Sequence, residues 1–224
     1  TGRDITPGEG TDAAADLRAY ANALNKAISV IITHDHFDHF GNIGSFADVS
    51  VYAQSTIATA LMMDDSFSGS YSSQVVGVES TQEIAGLAFN FNSVAKAETL
   101  ENGYITVPAL KALFAGDLAY YQSHNYIREY TPKDAPDELD NWVAGLNELK
   151  TNYGDYDYIF VGHGSSSDDV TGVIDENINY LTIAKGLIKG TRTLPDGSIA
   201  TTQQQVADEL TRLFPDYAPG ALKF

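Results

Sequence analysis

Thr33-His34-Asp35-His36-Phe37-Asp38-His39-Phe40-Gly41-Asn42 is the stretch on which the reading of this chain turns. Three of the five histidines of the sequence fall inside it, with Asp38 directly before the last of them. Before it runs Ile28-Ser29-Val30-Ile31-Ile32, an apolar β-branched run that predicts a short buried strand. Gly41-Asn42 predicts a turn or the start of a helix. The histidines are therefore expected at the C-terminal end of a strand, where open α/β sheets place their ligands. Imidazole and carboxylate at this density suit zinc or a similar divalent ion. The alternative, a solvated polar loop, is hard to reach by composition alone.

Composition narrows the function classes. A length of 224 residues suits one large domain or two small ones, and one is favoured. The 43% hydrophobic content supports a sizeable core, while no apolar run is long enough to span a membrane. The formal charge of −17 argues against nucleic acid and against anionic membrane surfaces, because a polyanion would be repelled and no basic stripe is visible. With no cysteine, a metal site must be built from His, Asp and Glu. The compartment stays open between cytoplasm and periplasm or exterior.

The periodicity predicts a helix over Thr11–Lys26, with Leu17, Tyr20, Ala21 and Leu24 on one face and Thr11 or Asp12 as cap. A strand over Val49–Ala53 and a helix over Ser55–Met63, capped by Ser55, follow. Asp64–Ser73 is polar and small, with Phe67 and Tyr71 embedded: either a surface loop or a lid whose aromatics close over a substrate. Strands are expected at Gln74–Val78, Thr81–Ile84, Leu87–Val94, Tyr104–Val107 and Lys111–Ala115, joined by turns at Gly86, Asn102-Gly103 and Pro108 into an antiparallel meander. Pro136–Lys150 reads as an amphipathic helix with Leu139, Trp142, Val143, Leu146 and Leu149 inward. A strand over Tyr156–Val161 and helices near Thr171–Lys189 and Thr202–Phe214 complete the chain. Strands thus end at Thr33, Ala115 and Val161, followed by His34/His36/Asp38/His39, by Gly116-Asp117 and by Gly162-His163. Acidic and imidazole groups past three strand ends are the pattern of a site on one rim of a sheet.

His34-x-His36-x-Asp38-His39 after an apolar strand resembles the signature of the metallo-β-lactamase superfamily, and Gly116-Asp117 and Gly162-His163 are similar to its later motifs. The resemblance covers roughly residues 28 to 165. It implies a single αββα sandwich domain over residues 1–224 and two divalent metals with a bridging hydroxide, zinc being the expected ion and iron or manganese the alternatives. Carried over, it implies His34 and His36 on the first metal, Asp38, His39 and His163 on the second, and Asp117 bridging both. The family's usual third histidine is absent, and Glu98 of Ala95-Lys96-Ala97-Glu98-Thr99 is expected in its place. With Pro108–Phe114 and His124-Asn125, that glutamate resembles in part the alkylsulfatase branch.

The implied chemistry is hydrolysis of a small ester, lactone, amide or sulfate ester, with Asp38 also orienting the nucleophile. Two divalent ions against three carboxylates and one hydroxide leave the centre near neutral, and bound water titrates near about 7 rather than at 15.7. His124 is either a structural residue or a contact to the leaving group or oxyanion; Tyr120, Tyr121 and Asn125 are further substrate-binding candidates. The expected partner is a small-molecule substrate, neutral or singly charged, rather than nucleic acid or membrane. The superfamily places several strands before its first motif, and here 33 residues precede His34. A truncated start, or a second copy or partner chain completing the sheet, is therefore expected. An iron oxidoreductase of the same superfamily and a non-catalytic metal-binding protein are the competing functions.

Overall fold

The computed structural model describes residues 13–71, 73–127 and 135–218. The chain forms two compact units that divide between Asn92 and Ser93. The described residues hold eight strands and seven α-helices.

Among the described residues, the first element of the first unit is α1 (Ala13–Ala23). Its expected cap, Thr11 or Asp12, lies outside the described residues. The expected inward face is corrected: Leu17, Tyr20 and Leu24 are 51%, 65% and 50% exposed, whereas Ala14 and Ala21 are buried. The reason is Arg18, whose guanidinium donates to Ser45 O at 3.0 Å and, bidentately, to Asp48 at 2.8 and 2.7 Å. That anchor turns the small alanine face inward.

β1 (Val30–Ile31), β2 (Val51–Gln54) and β3 (Val76–Val78) form a parallel sheet in that order, with Val30 opposite Val51 and Tyr52 opposite Val76. The residues expected to open an antiparallel meander at Gln74–Val78 instead pair parallel to β2. The intervening helices, α3 (Ser55–Met63) and α4 (Asp65–Ser70), carry the chain back so that it re-enters in the same direction. Gln54 rather than Ser55 caps α3, its side chain accepting from Thr56 N at 2.7 Å. The Asp64–Ser73 stretch is neither loop nor lid over its described part. Asp64 accepts from Phe67 N at 2.8 Å and caps α4, and Phe67 and Tyr71 are buried in the unit's core with Phe40 and Ile57.

The second sheet has the order β4-β5-β6-β7-β8, from β4 (Thr81–Ile84), β5 (Leu87–Ala95), β6 (Glu101–Val107), β7 (Ala112–Tyr121) and β8 (Tyr158–Gly164). The division between units falls inside β5. β6 runs antiparallel to β7, and β8 parallel to it. Asn102-Gly103, expected as a turn, lies within β6 because the reversal is made earlier, at residues 96–100, where Lys96 N donates to Leu100 O at 2.9 Å. The strand ends expected at Ala115 and Val161 are also corrected: β7 and β8 continue through Asp117 and His163.

α5 (Ala135–Tyr153) and α6 (Val170–Ile188) pack on this sheet, and α7 (Gln203–Leu213) packs on α6. Leu139, Trp142, Leu146 and Leu149 of α5 are buried at helical spacing, as the sequence pattern requires. Burying one such large side chain stabilises by about 1.5–3 kcal/mol. Thr202 and Gln205 form a reciprocal capping box at the start of α7. No helix among the described residues is long and apolar enough to cross a membrane.

Candidate metal centre

In the first unit, β1 ends at Ile31, short of the expected Thr33, and Ile32 and Thr33 lead to His34. Ile32 is buried behind the loop, and a single helical turn, α2 (Phe37–Phe40), carries Asp38 and His39. Gly41 closes that turn with its N–H on Phe37 O at 2.7 Å. The turn folds the six residues back on themselves, so the rings of His34 and His36 lie 4.8 Å apart and those of His34 and His39 4.1 Å. His34 is fully buried, with Nδ1 3.1 Å from Thr33 Oγ1. His39 Nε2 lies 3.5 Å from Asp38 Oδ2, the aspartate side chain being 43% exposed. Asp35, the remaining polar residue of the run, points to solvent.

The second unit gathers Glu98, Asp117 and His163. Glu98 sits in the tight reversal between β5 and β6, almost fully buried beside Ala97 and Thr99. Its Oε2 accepts from Asn102 Nδ2 at 3.1 Å, and Asn102 Oδ1 accepts from Thr99 N at 2.8 Å. Asp117 follows Gly116, whose φ of +52° marks an irregularity in the β7–β8 register. Such a bulge re-aims the following side chain. Asp117 Oδ2 accepts from Tyr120 Oη at 2.8 Å and lies 3.3 Å from His163 Nε2. A Cβ on Gly162 would stand 1.7 Å from Asp117 Oδ1, so only glycine lets the carboxylate lie against β8.

The remaining predicted residues of this unit are His124, Tyr120, Tyr121 and Asn125. Tyr120 is buried, stacked on His163 at 5.2 Å, and its hydroxyl is directed to Asp117. Burial, then the charges of Asp117 and Glu98, push its phenol well above the usual tyrosine range, so it stays a proton donor. Asn125 donates to Asn177 Oδ1 at 2.9 Å, and the same oxygen accepts from Tyr120 N at 3.0 Å. Tyr121 ends β7 with its backbone against Gly164. His124 is buried in an aromatic cluster: Nδ1 lies 3.0 Å from Tyr180 Oη, and the rings of Tyr180 and Tyr217 stand at 5.8 and 5.6 Å. Desolvation there lowers its pKa.

Asn102 and Asn177 are the supporting residues that sequence reasoning missed. Asn102 was disguised as half of a turn dipeptide. Asn177 carried a signal, being a lone amide in the buried stripe Val173, Ile174, Asn177, Leu181 of α6.

The donor chemistry fits a divalent cation. Within one unit, the ligand atoms of His34 and His36 lie within 4.8 Å of each other, and in the other so do those of Glu98 and Asp117. Two carboxylates held that close at 1% and 2% exposure repel each other strongly, and a divalent ion is the compensation such a pair calls for.

A family model described as the metallo-beta-lactamase superfamily matches residues 7–163, and the chain belongs to that superfamily. Among solved structures it is similar to a metallo-beta-lactamase from Pontibacter korlensis, at 19% identity over 80% of each chain with a TM-score of 0.59. It is also similar to the metallo-beta-lactamase IND-7, at 18% identity over 79% of this chain and 78% of that one, TM-score 0.56. The DIM-1 metallo-beta-lactamase gives 16% identity over 78% of each chain, TM-score 0.56. At these identities the likeness shows the fold. No curated protein matches the chain. Family and donor set together support a metallohydrolase.

Proposed function

We propose that the ligand sets of the two units close around one dinuclear centre, zinc in the first instance, that hydrolyses a small ester, lactone, amide or sulfate ester. His34, His36 and Glu98 would hold one ion, Asp38, His39 and His163 the other, with Asp117 shared. The observation that carries this reading is the pair of buried carboxylates, Glu98 and Asp117, at 1% and 2% exposure in a chain that gathers three of its five imidazoles after β1. When bound, two such ions would acidify water and polarise the group under attack.

The chain's own residues have separate tasks in that scheme. Asp38, far more exposed than the buried Glu98 and Asp117, orients the attacking oxygen and can take its proton. Tyr120 keeps Asp117 oriented by a donated hydrogen bond, rather than contacting substrate. His124, closed off by Tyr180 and Tyr217, packs rather than reacts. Asn125 and Tyr121 support β7 in the same way. We place the single-domain reading of residues 1–224 within this proposal, since both units are needed to complete the ligand set.

A panel of p-nitrophenyl esters, lactones, β-lactams and alkyl sulfates, run on zinc-reconstituted protein, tests the activity. Turnover of at least one class, abolished by chelator and restored by zinc, is expected; none in any class would refute the hydrolase. The buried Glu98 carboxylate also favours a second reading, an iron oxidoreductase, because hard oxygen ligands suit iron or manganese. Metal analysis of protein purified without added zinc separates the two, iron with no hydrolysis reversing the order.

A further inference from the structure

We propose that Asn102 is a positioning residue for the metal centre: it fixes the Glu98 carboxylate through Oε2 and thereby sets the affinity of the ion that Glu98 holds. The inference rests on Glu98 being a ligand. Asn102 is fully buried on β6, four residues beyond Glu98, on the far side of the reversal that presents it. Its amide is fixed at both ends. Thr99 N–H can only donate, so the oxygen of Asn102 must face it, at 2.8 Å. The Nδ2 group is thereby turned to Glu98 Oε2, at 3.1 Å, where it can only donate. A backbone N–H therefore dictates which end of the amide meets the carboxylate, and the carboxylate loses its freedom to rotate about its terminal bond.

The backbone around it is equally constrained. Lys96 has a left-handed φ of +52°, and Ala97 N donates to Thr99 O at 3.1 Å, so the reversal is narrow and Glu98 stands at its tip. The arrangement does for a carboxylate what a hydrogen-bond acceptor on the far ring nitrogen does for a ligating histidine, fixing the orientation before the ion arrives. A histidine in place of Glu98 would have a rigid ring and one coordinating nitrogen in a set direction. A glutamate has rotatable bonds and two equivalent oxygens, so it needs this external constraint.

Asn102→Asp is the sharp variant. It keeps an oxygen for Thr99 N–H and nearly the same volume, but replaces the donor facing Glu98 with an anionic oxygen. Zinc binding is read by chelator competition and by metal-to-chain ratio on the full chain, for wild type, Asn102→Asp, Glu98→Gln and the double variant. The expected result is a wild type with two ions and an Asn102→Asp protein of unchanged far-UV circular dichroism. In that variant one ion is held about 10- to 100-fold more weakly and the other is unaffected. Glu98→Gln shows the same selective loss, and the double variant loses no more than Glu98→Gln alone.

Wild-type affinity in Asn102→Asp, beside a selective loss in Glu98→Gln, would overturn the positioning role while leaving the dinuclear reading intact. Losses that add in the double variant would overturn it too, since Asn102 would then act elsewhere. Two ions at full affinity in Glu98→Gln would remove Glu98 as a ligand, and the proposal with it. Should Asn102→Asp not fold, the side-chain amide resonance of Asn102 in the wild-type protein gives the second readout. It is expected to shift on zinc titration, and an unmoved signal would overturn the proposal.

Discussion

The two regions that carry candidate ligands gather them by different routes. In the first unit, four candidate ligands come from the six consecutive residues 34–39, and one helical turn behind a short strand arranges them. In the second, Glu98, Asp117 and His163 come from a reversal and from two neighbouring strands. There each carboxylate accepts a hydrogen bond from a buried side chain, Asn102 or Tyr120. The contrast follows from how each group is fixed. The His loop is constrained by local chain geometry and stays partly solvated, Asp38 being 43% exposed on its side chain. The carboxylates of the second unit are nearly dry, so their placement and charge depend on partners brought from distant positions. A local motif can therefore be read from sequence alone, whereas a site supported by long-range contacts can only be half read.

The comparison breaks most visibly at Asp117. Asp117→Asn is expected to leave at most one tightly held ion and to cut hydrolysis by more than about 100-fold, since even losing a residue that only orients a ligand costs about 10–100-fold. Metal analysis and initial rates check it, and near wild-type values of both would show that the second unit's carboxylate is dispensable. Next in size, Phe67→Ala should destabilise the first unit by about 3–5 kcal/mol, because Phe67 is fully buried. A denaturant midpoint unchanged by Phe67→Ala would restore the lid. Gly162→Ala forces a methyl group into Asp117 and is expected to cost about 1–3 kcal/mol together with metal affinity. The corresponding change at Gly41, whose new Cβ would lie 3.0 Å from Phe37 O, is expected to be milder.

The smallest effect is a pH dependence. Burial depresses the His124 pKa, so the unfolded chain binds a proton that the folded chain resists. Stability contributed by neutral His124 is fully present above the unfolded value of about 6.5 and falls as pH drops below it. Melting temperatures between pH 7.5 and 5.5 should decline less in His124→Gln than in wild type. Equal declines would place the acid sensitivity elsewhere.

Much of this architecture was legible because its signals are local. The α5 stripe of Leu139, Trp142, Leu146 and Leu149, the strand before His34, and the helix near Thr202–Phe214 all report their own structure. The misreadings share another cause. Leu17, Tyr20 and Leu24 looked like a buried face because periodicity does not reveal that Arg18 ties the other side of α1 to Asp48. Asn102-Gly103 looked like a turn because the dipeptide does not reveal that the reversal has already happened at residues 96–100. The serines around Phe67 and Tyr71 suggest a loop or lid, because composition does not reveal that Asp64 caps a helix that turns both inward. The candidate ligands could be named from the chain, but the groups that hold them could not, since Asn177 reaches Tyr120 across 57 positions.

The central claim is that the two ligand sets act as one dinuclear centre, and X-ray absorption on the zinc-loaded protein tests it most directly. The account predicts two zinc ions per chain with a metal–metal scattering distance of about 3.5–4 Å. A single zinc ion, or two with no metal–metal scattering, would contradict it.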